Sequence, residues 1–126
     1  MTNRVFSVMA LVGSITLAAT AAHADGDAAA GQKLFTQKCG LCHAPLEGKN
    51  KVGPSLWGLV GRKAGSLPGY TYSDAMKNAN RTWDIATLSD YLVAPRQKIP
   101  GVKMVFAGLP QETDRQNLIA YLSTLK

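Results

Sequence analysis

Two cysteines three residues apart, with a histidine directly after the second, form the stretch Cys39-Gly40-Leu41-Cys42-His43. Positions i and i+3 of a helical turn lie on one face, so both sulfurs can reach neighbouring edges of one flat ligand while the imidazole stands beside them. That is the attachment pattern of c-type haem, in which the thiols bond covalently to the porphyrin and His43 lies under the iron as an axial ligand. A disulfide, a zinc site and a redox dithiol are the alternatives. Zinc takes four ligands, and the other histidine, His23, lies in an expected leader, which leaves three. A thioredoxin-like dithiol closes a strand-to-helix turn of a βαβ unit, and no strand pattern precedes Cys39.

An iron held by one histidine has a second axial position to fill. Of the four methionines, Met1 and Met9 fall in the leader, and Met76 and Met104 remain. Methionine most often fills a core gap, which suits Met76 on a short helical stretch. Met104 lies in Ile99-Pro100-Gly101-Val102-Lys103-Met104, where Pro100 and Gly101 favour an extended course that can cross a flat ligand with the thioether turned inward. A His/Met pair raises the reduction potential and leaves no site for oxygen or substrate, so the chemistry it favours is one-electron transfer.

The elements that must position these groups are helical. Asp27 is placed to cap a helix that opens on Ala28 to Ala30 and continues through Gly31, Leu34, Phe35 and Lys38 at spacings of three and four. It presents Phe35 to the core and delivers Cys39 to His43. Residues 53–69 hold glycines at 53, 58, 61, 65 and 69 among Leu56, Trp57, Leu59, Val60 and Leu67. This is too apolar for a solvated linker, and it suits either an ordinary structured loop or one wrapped around a flat group. A short helix is expected within 72–78, and a clearer one from Thr82 or Asp84 to Val93, stopped by Pro95. Residues 96–109 read as loop. A final helix is expected from about Glu112 to Leu125, with Leu118, Leu122 and Leu125 as its buried stripe beside Ile119 and Tyr121. No period-two alternation is sustained, so the class is all-α with long loops.

The N-terminus reads as a secretory leader: Arg4, a mostly apolar run from Val5 to Leu17, and Ala22-His23-Ala24 as a small-x-small cleavage site. Residues 1–24 are therefore expected to be removed in the periplasm, leaving residues 25–126 as one domain. An uncleaved anchor is the rival, since the apolar run approaches the ~20 residues that span a bilayer. The whole chain carries 14 Lys+Arg against 8 Asp+Glu. Removing the leader takes away Arg4 and no acid, which leaves 13 basic against 8 acidic side chains. A positive exported domain points to acidic protein partners or anionic surfaces. Nucleic acid is not indicated, because no basic run alternates with aromatics.

These residues resemble a class I cytochrome c of the mitochondrial and bacterial periplasmic kind. The resemblance runs from Gly31 to Leu122. It rests on Gly31 and Phe35, the attachment motif, Gly53-Pro54, Gly58-Leu59-Val60-Gly61-Arg62-Lys63 and Pro68-Gly69-Tyr70-Thr71-Tyr72. Further along it rests on Trp83, Tyr91-Leu92, Ile99-Pro100-Gly101-x-Lys103-Met104 and Leu118-Ile119-Ala120-Tyr121. It implies a small fold of three to five helices with long loops around one covalently attached haem, and a soluble monomeric carrier of single electrons between respiratory or related redox partners, not an enzyme. It implies His43 and Met104 as axial ligands and the Pro54 carbonyl as acceptor for the other imidazole N–H. It implies Arg62, Tyr72 and Trp83 near the haem propionates, Tyr91 near the methionine sulfur, and Gly31 with Phe35 crossing the last helix near Leu118 and Tyr121. Lys33, Lys38, Lys51, Arg96 and Lys103 would ring the exposed haem edge and meet an acidic patch on the partner. Two positions depart from the family pattern: Val102 where a threonine is usual, and Met76 where an asparagine is common. The competing function is a haem enzyme or gas sensor with an open iron.

Overall fold

The computed structural model describes residues 25–126, and the expected leader lies outside them. Asp27 does cap the first helix, α1 (Ala28–Leu34): its carboxylate accepts from the backbone N–H groups of Ala29 and Ala30. The helix does not run on unchanged to Lys38. Its last turn widens into a π-helical segment, Phe35–Cys39, closed by a 2.7 Å bond from Gly40 N to Phe35 O. Such turns recur at functional sites. This one ends on the first cysteine, and the bonds from Cys42 N and His43 N to Cys39 O curl the chain into the attachment turn.

Two further helices are short. α2 (Asp74–Lys77) is capped by Ser73, whose hydroxyl accepts from Met76 N. α3 (Ile85–Val93) starts at Asp84, not Thr82, because the Asp84 carboxylate accepts from Thr87 N. Pro95 ends α3 as expected but also opens α4 (Pro95–Lys98), inside the stretch expected to be loop from Arg96 onward. The reason is that proline's fixed φ suits the first turn of a helix as well as it blocks the interior of one. The last helix, α5 (Glu112–Leu122), stops short of Leu125, and the hydroxyls of Ser123 and Thr124 turn back to Ile119 O and Tyr121 O.

α1 packs across α5, and Gly31 lets the two backbones meet. A Cβ at this position would lie 1.9 Å from Asn117 O and 2.8 Å from Tyr121 Cβ, so no side chain fits. Phe35 stacks on Tyr121 beside this crossing, with ring centroids 5.4 Å apart. Asp27 N adds a 2.8 Å bond to the Asn117 side chain. Gly31→Ala should therefore push the helices apart and cost about 1–3 kcal/mol, read as a lower denaturant midpoint with an unchanged visible spectrum. Leu118, Ile119, Leu122 and Leu125 form the buried stripe of the C-terminal segment, and Tyr121 is only half-buried.

Among the described residues the only β pairing is an isolated bridge, Lys63 to Thr82. It belongs to a backbone clasp in which Gly61 N, Ala64 N and Trp83 N bond to Trp83 O, Arg81 O and Arg62 O. The clasp folds the glycine-rich loop back against the segment before α3 and seats Trp83 in the core. Gly58, Gly61, Gly65 and Gly69 all adopt positive φ, the conformation that other residues rarely take. The loop is thus a chain of glycine turns that buries Leu59 and packs Leu56, Trp57 and Val60 against the core.

Candidate functional site

One cavity of about 380 Å³ lies between these elements. Its lining brings together Cys39, Cys42, His43, Pro54, Arg62, Tyr72, Trp83, Tyr91 and Met104, every site residue expected from the sequence. They come from the attachment turn, the glycine-rich loop, the residues around α3 and the loop after α4.

His43 is held by the loop that faces it. Its Nδ1 lies 2.7 Å from Pro54 O. A carbonyl oxygen only accepts, so Nδ1 carries the proton and Nε2 keeps its lone pair for a metal. The loop is drawn on by bonds from Gly53 N to Cys42 O at 2.7 Å and from Leu56 N to Ala44 O at 3.0 Å. Gly53 lies flat against the ring: a Cβ there would come within 2.3 Å of His43 Cε1. Burial pushes the imidazole pKa down, the Pro54 bond opposes this, and the charges of Arg62 and Lys51 push it further down. The ring is therefore neutral at pH 7, as a ligand must be.

The two cysteines are free thiols. Burial, reinforced by Cys42, pushes Cys39 up to about 11. A redox-active dithiol needs a depressed thiol pKa, so this environment argues against a disulfide-exchange role. Among the described residues no group of three or more His, Cys, Asp or Glu side chains converges.

The remaining walls are mostly apolar. Leu56, Leu59, Leu88, Leu92, Leu118, Leu122 and Phe106 line the cavity, with Met76 and Val102 among them. The two departures from the family pattern thus both place an apolar side chain in the cavity wall. Tyr91 is buried, and desolvation pushes its phenol up to about 12, so it remains a proton donor at every ordinary pH. The Arg62 guanidinium donates to Ser55 O at 3.0 Å and Trp57 O at 3.2 Å, which fixes a positive charge on one wall. The lining contains no Asp or Glu and no second histidine. A flat apolar ligand with anionic substituents, tethered at two thiols and bound by an imidazole nitrogen, fits these donors and this shape.

The sequence reading overlooked Phe106 and Val52 as lining residues, both in loops with no periodic signal. It also overlooked the Tyr70 hydroxyl, which donates to Val52 O at 2.9 Å.

The Cytochrome c family model matches residues 28–126. Cytochrome c2 of Rhodoblastus acidophilus is 56% identical over 102 residues, covering 80% of this chain and 94% of that one. Cytochrome c-550 of Bradyrhizobium diazoefficiens is 56% identical over 97 residues, covering 76% of this chain and 71% of its own. Among solved structures, cytochrome cH from Methylobacterium extorquens superposes with a TM-score of 0.74 at 49% identity, covering 79% of this chain and 99% of that chain.

Proposed function

The chain belongs to the cytochrome c family, and from that premise we propose that it carries single electrons, with His43 and Met104 as axial ligands of one haem c attached at Cys39 and Cys42. The observation that carries this reading is the convergence of both thiols, a neutral imidazole with a free Nε2 and a loop thioether on one apolar cavity. When bound, the haem supplies a ferric/ferrous couple.

The chain's own residues set the terms of that couple. Cys39 and Cys42 would tether the group so that it could not dissociate. The Pro54 carbonyl orients His43 and raises its basicity. The Met104 thioether, which lines the same cavity as His43, would hold the iron and so keep oxygen, peroxide and CO from it. The absence of an acid or second histidine from the described lining leaves peroxide chemistry without a proton donor–acceptor pair. Held by His43 and Met104 in either oxidation state, the group would supply one-electron transfer with little rearrangement of the chain.

The test is a redox titration followed optically on the mature protein. The expected result is a reversible one-electron couple, a low-spin ferric spectrum and a weak far-red thioether band. A colourless protein, or a high-spin spectrum that changes on adding CO, overturns the reading in favour of no haem or an open iron.

The partner is a redox protein with an acidic patch. Leu41, Val52 and Val105 are 86%, 77% and 88% exposed, and Val52 and Val105 also line the cavity, so its mouth opens onto an apolar pad. Lys38 and Lys103 line the same cavity, and Lys51 donates to Gly40 O within the attachment turn, which places positive charge around the pad. Small, transient interfaces of this kind suit a shuttle acting as a monomer. The association rate with a reductase or oxidase should fall about tenfold or more as salt screens the encounter, and Lys38→Glu should lower it at low salt. A rate indifferent to ionic strength removes the steering role.

The site of action is the periplasm, with cleavage after Ala24. Among the described residues no helix is long and apolar enough to cross a membrane. An intact mass matching residues 25–126 plus one haem is the expected outcome, and a mass that retains residues 1–24 favours the anchor.

A further inference from the structure

Resting on the ligation by His43, we propose that Asn50 is a positioning residue for electron transfer: its side-chain oxygen polarises the Pro54–Ser55 peptide and, through it, sets how strongly His43 donates to the iron.

The Pro54 carbonyl and the Ser55 N–H belong to one peptide unit. On one side of that unit His43 Nδ1 donates to Pro54 O at 2.7 Å. On the other, Ser55 N donates to Asn50 Oδ1 at 2.9 Å. A backbone N–H only donates, so the amide oxygen of Asn50 must face it, and Asn50 Nδ2 is left to donate to Gly69 O at 3.4 Å. The peptide C–N bond has partial double-bond character, so an acceptor at its N–H moves electron density onto its carbonyl oxygen. Hydrogen bonds linked in this way strengthen one another by about 10–30%. A more negative Pro54 oxygen draws harder on the Nδ1 proton, and His43 Nε2 becomes the better donor.

Ser55 is 1% exposed, and each of its polar groups is bonded. Its hydroxyl donates to Leu46 O and accepts from Trp57 N, and its carbonyl accepts from the Arg62 guanidinium. The N–H therefore depends on Asn50 and not on solvent. The imidazole, for its part, cannot turn away from Pro54, because the Gly53 backbone lies against it and a Cβ there would come within 2.3 Å of His43 Cε1. A change in the strength of the acceptor thus appears in the electron density of the ring and not in a rotation. A stronger nitrogen donor favours the ferric form, so Asn50 holds the potential down.

Three variants of the holoprotein separate this role from a structural one. Asn50→Leu removes the oxygen and keeps the bulk. Asn50→Asp keeps the oxygen. Ser55→Ala removes the hydroxyl but leaves the chain from Asn50 through the peptide to His43 intact. Redox titrations in 1 M salt, where charges are screened within about 3 Å, suppress the direct effect of the aspartate charge. Asn50→Leu should favour reduction about twofold, the cooperative fraction of one hydrogen bond to a charged group. That is about 18 mV upward at 59 mV per tenfold. Asn50→Asp should keep the potential at or below that of the unaltered protein. Ser55→Ala should lower the denaturant midpoint and leave the potential where it was. In the diamagnetic ferrous protein the His43 Nδ1 proton resonance should move upfield in Asn50→Leu, stay in place or move downfield in Asn50→Asp, and stay in place in Ser55→Ala.

If Asn50→Leu does not raise the potential, or does not move the Nδ1 resonance upfield, the role of Asn50 is overturned. A rise in Asn50→Asp or in Ser55→Ala equal to that in Asn50→Leu overturns it too, since general loosening of the loop would then explain all of them. The chain needs His43 on the iron but not Met104. A missing far-red band would therefore remove Met104 as ligand while the differences among the variants still decide for or against Asn50, and a colourless protein overturns both.

Discussion

A chain carrying Cys39→Ala and Cys42→Ala, prepared without haem, is expected to be largely unfolded. Among the described residues thirteen apolar side chains form the buried core, and seven of them, Leu59, Trp83, Leu88, Tyr91, Leu92, Leu118 and Leu122, also line the cavity. The core and the ligand site are therefore one structure. Holding the cavity of about 380 Å³ open without its ligand would cost roughly 9 kcal/mol at about 24 cal/mol per Å³. That is an upper bound, because the walls relax, but it matches the whole stability of about 5–15 kcal/mol available to a small domain. α2 and α4 have four residues each and cannot persist by propensity alone. Far-ultraviolet dichroism should show little helix and no cooperative melt. A helical form that melts cooperatively would mean that the α1–α5 crossing suffices to fold the chain.

Much of the site was legible because its chemistry needs fixed residue types at fixed spacings. The attachment motif is local, and the loop before Met104 announces itself through Pro100 and Gly101. Helix starts were legible where a carboxylate caps them, as at Asp27 and Asp84. What escaped depends on contacts between distant segments. Nothing around Cys39 signals that α1 widens into a π turn over Phe35–Cys39. Pro95 signals a stop, but the sequence does not say whether the chain beyond a proline resumes a helix. The Tyr70 to Val52 bond spans eighteen residues between two loops, and tyrosine hydroxyls carry no sequence mark of their acceptor. The lysines proposed for docking show the same limit: charge is visible in composition, but that Lys51 and Lys103 also bond backbone carbonyls is not.

Met104→Ala is expected to abolish the far-red thioether band and lower the midpoint potential on the order of 0.1–0.3 V, within the roughly 0.8 V span that axial ligands command. A thioether is a weak donor that favours the ferrous form, and water or hydroxide in its place favours the ferric. The ferric spectrum should gain high-spin character, and the ferrous protein should bind CO. Met76 supplies the control, since it lines the same cavity and could in principle offer a second sulfur. It sits on α2, with its backbone N–H held 3.1 Å from the Ser73 hydroxyl, and so lacks the freedom of a loop residue. Met104 belongs to no helix, and its thioether can settle wherever the iron requires. Met76→Leu should therefore leave the band in place. If the band survives Met104→Ala and disappears only when Met76 is also replaced, the second methionine can serve as the ligand and the iron's environment is adaptable. If Met76→Leu alone abolishes the band, the ligand assignment moves from the loop to α2.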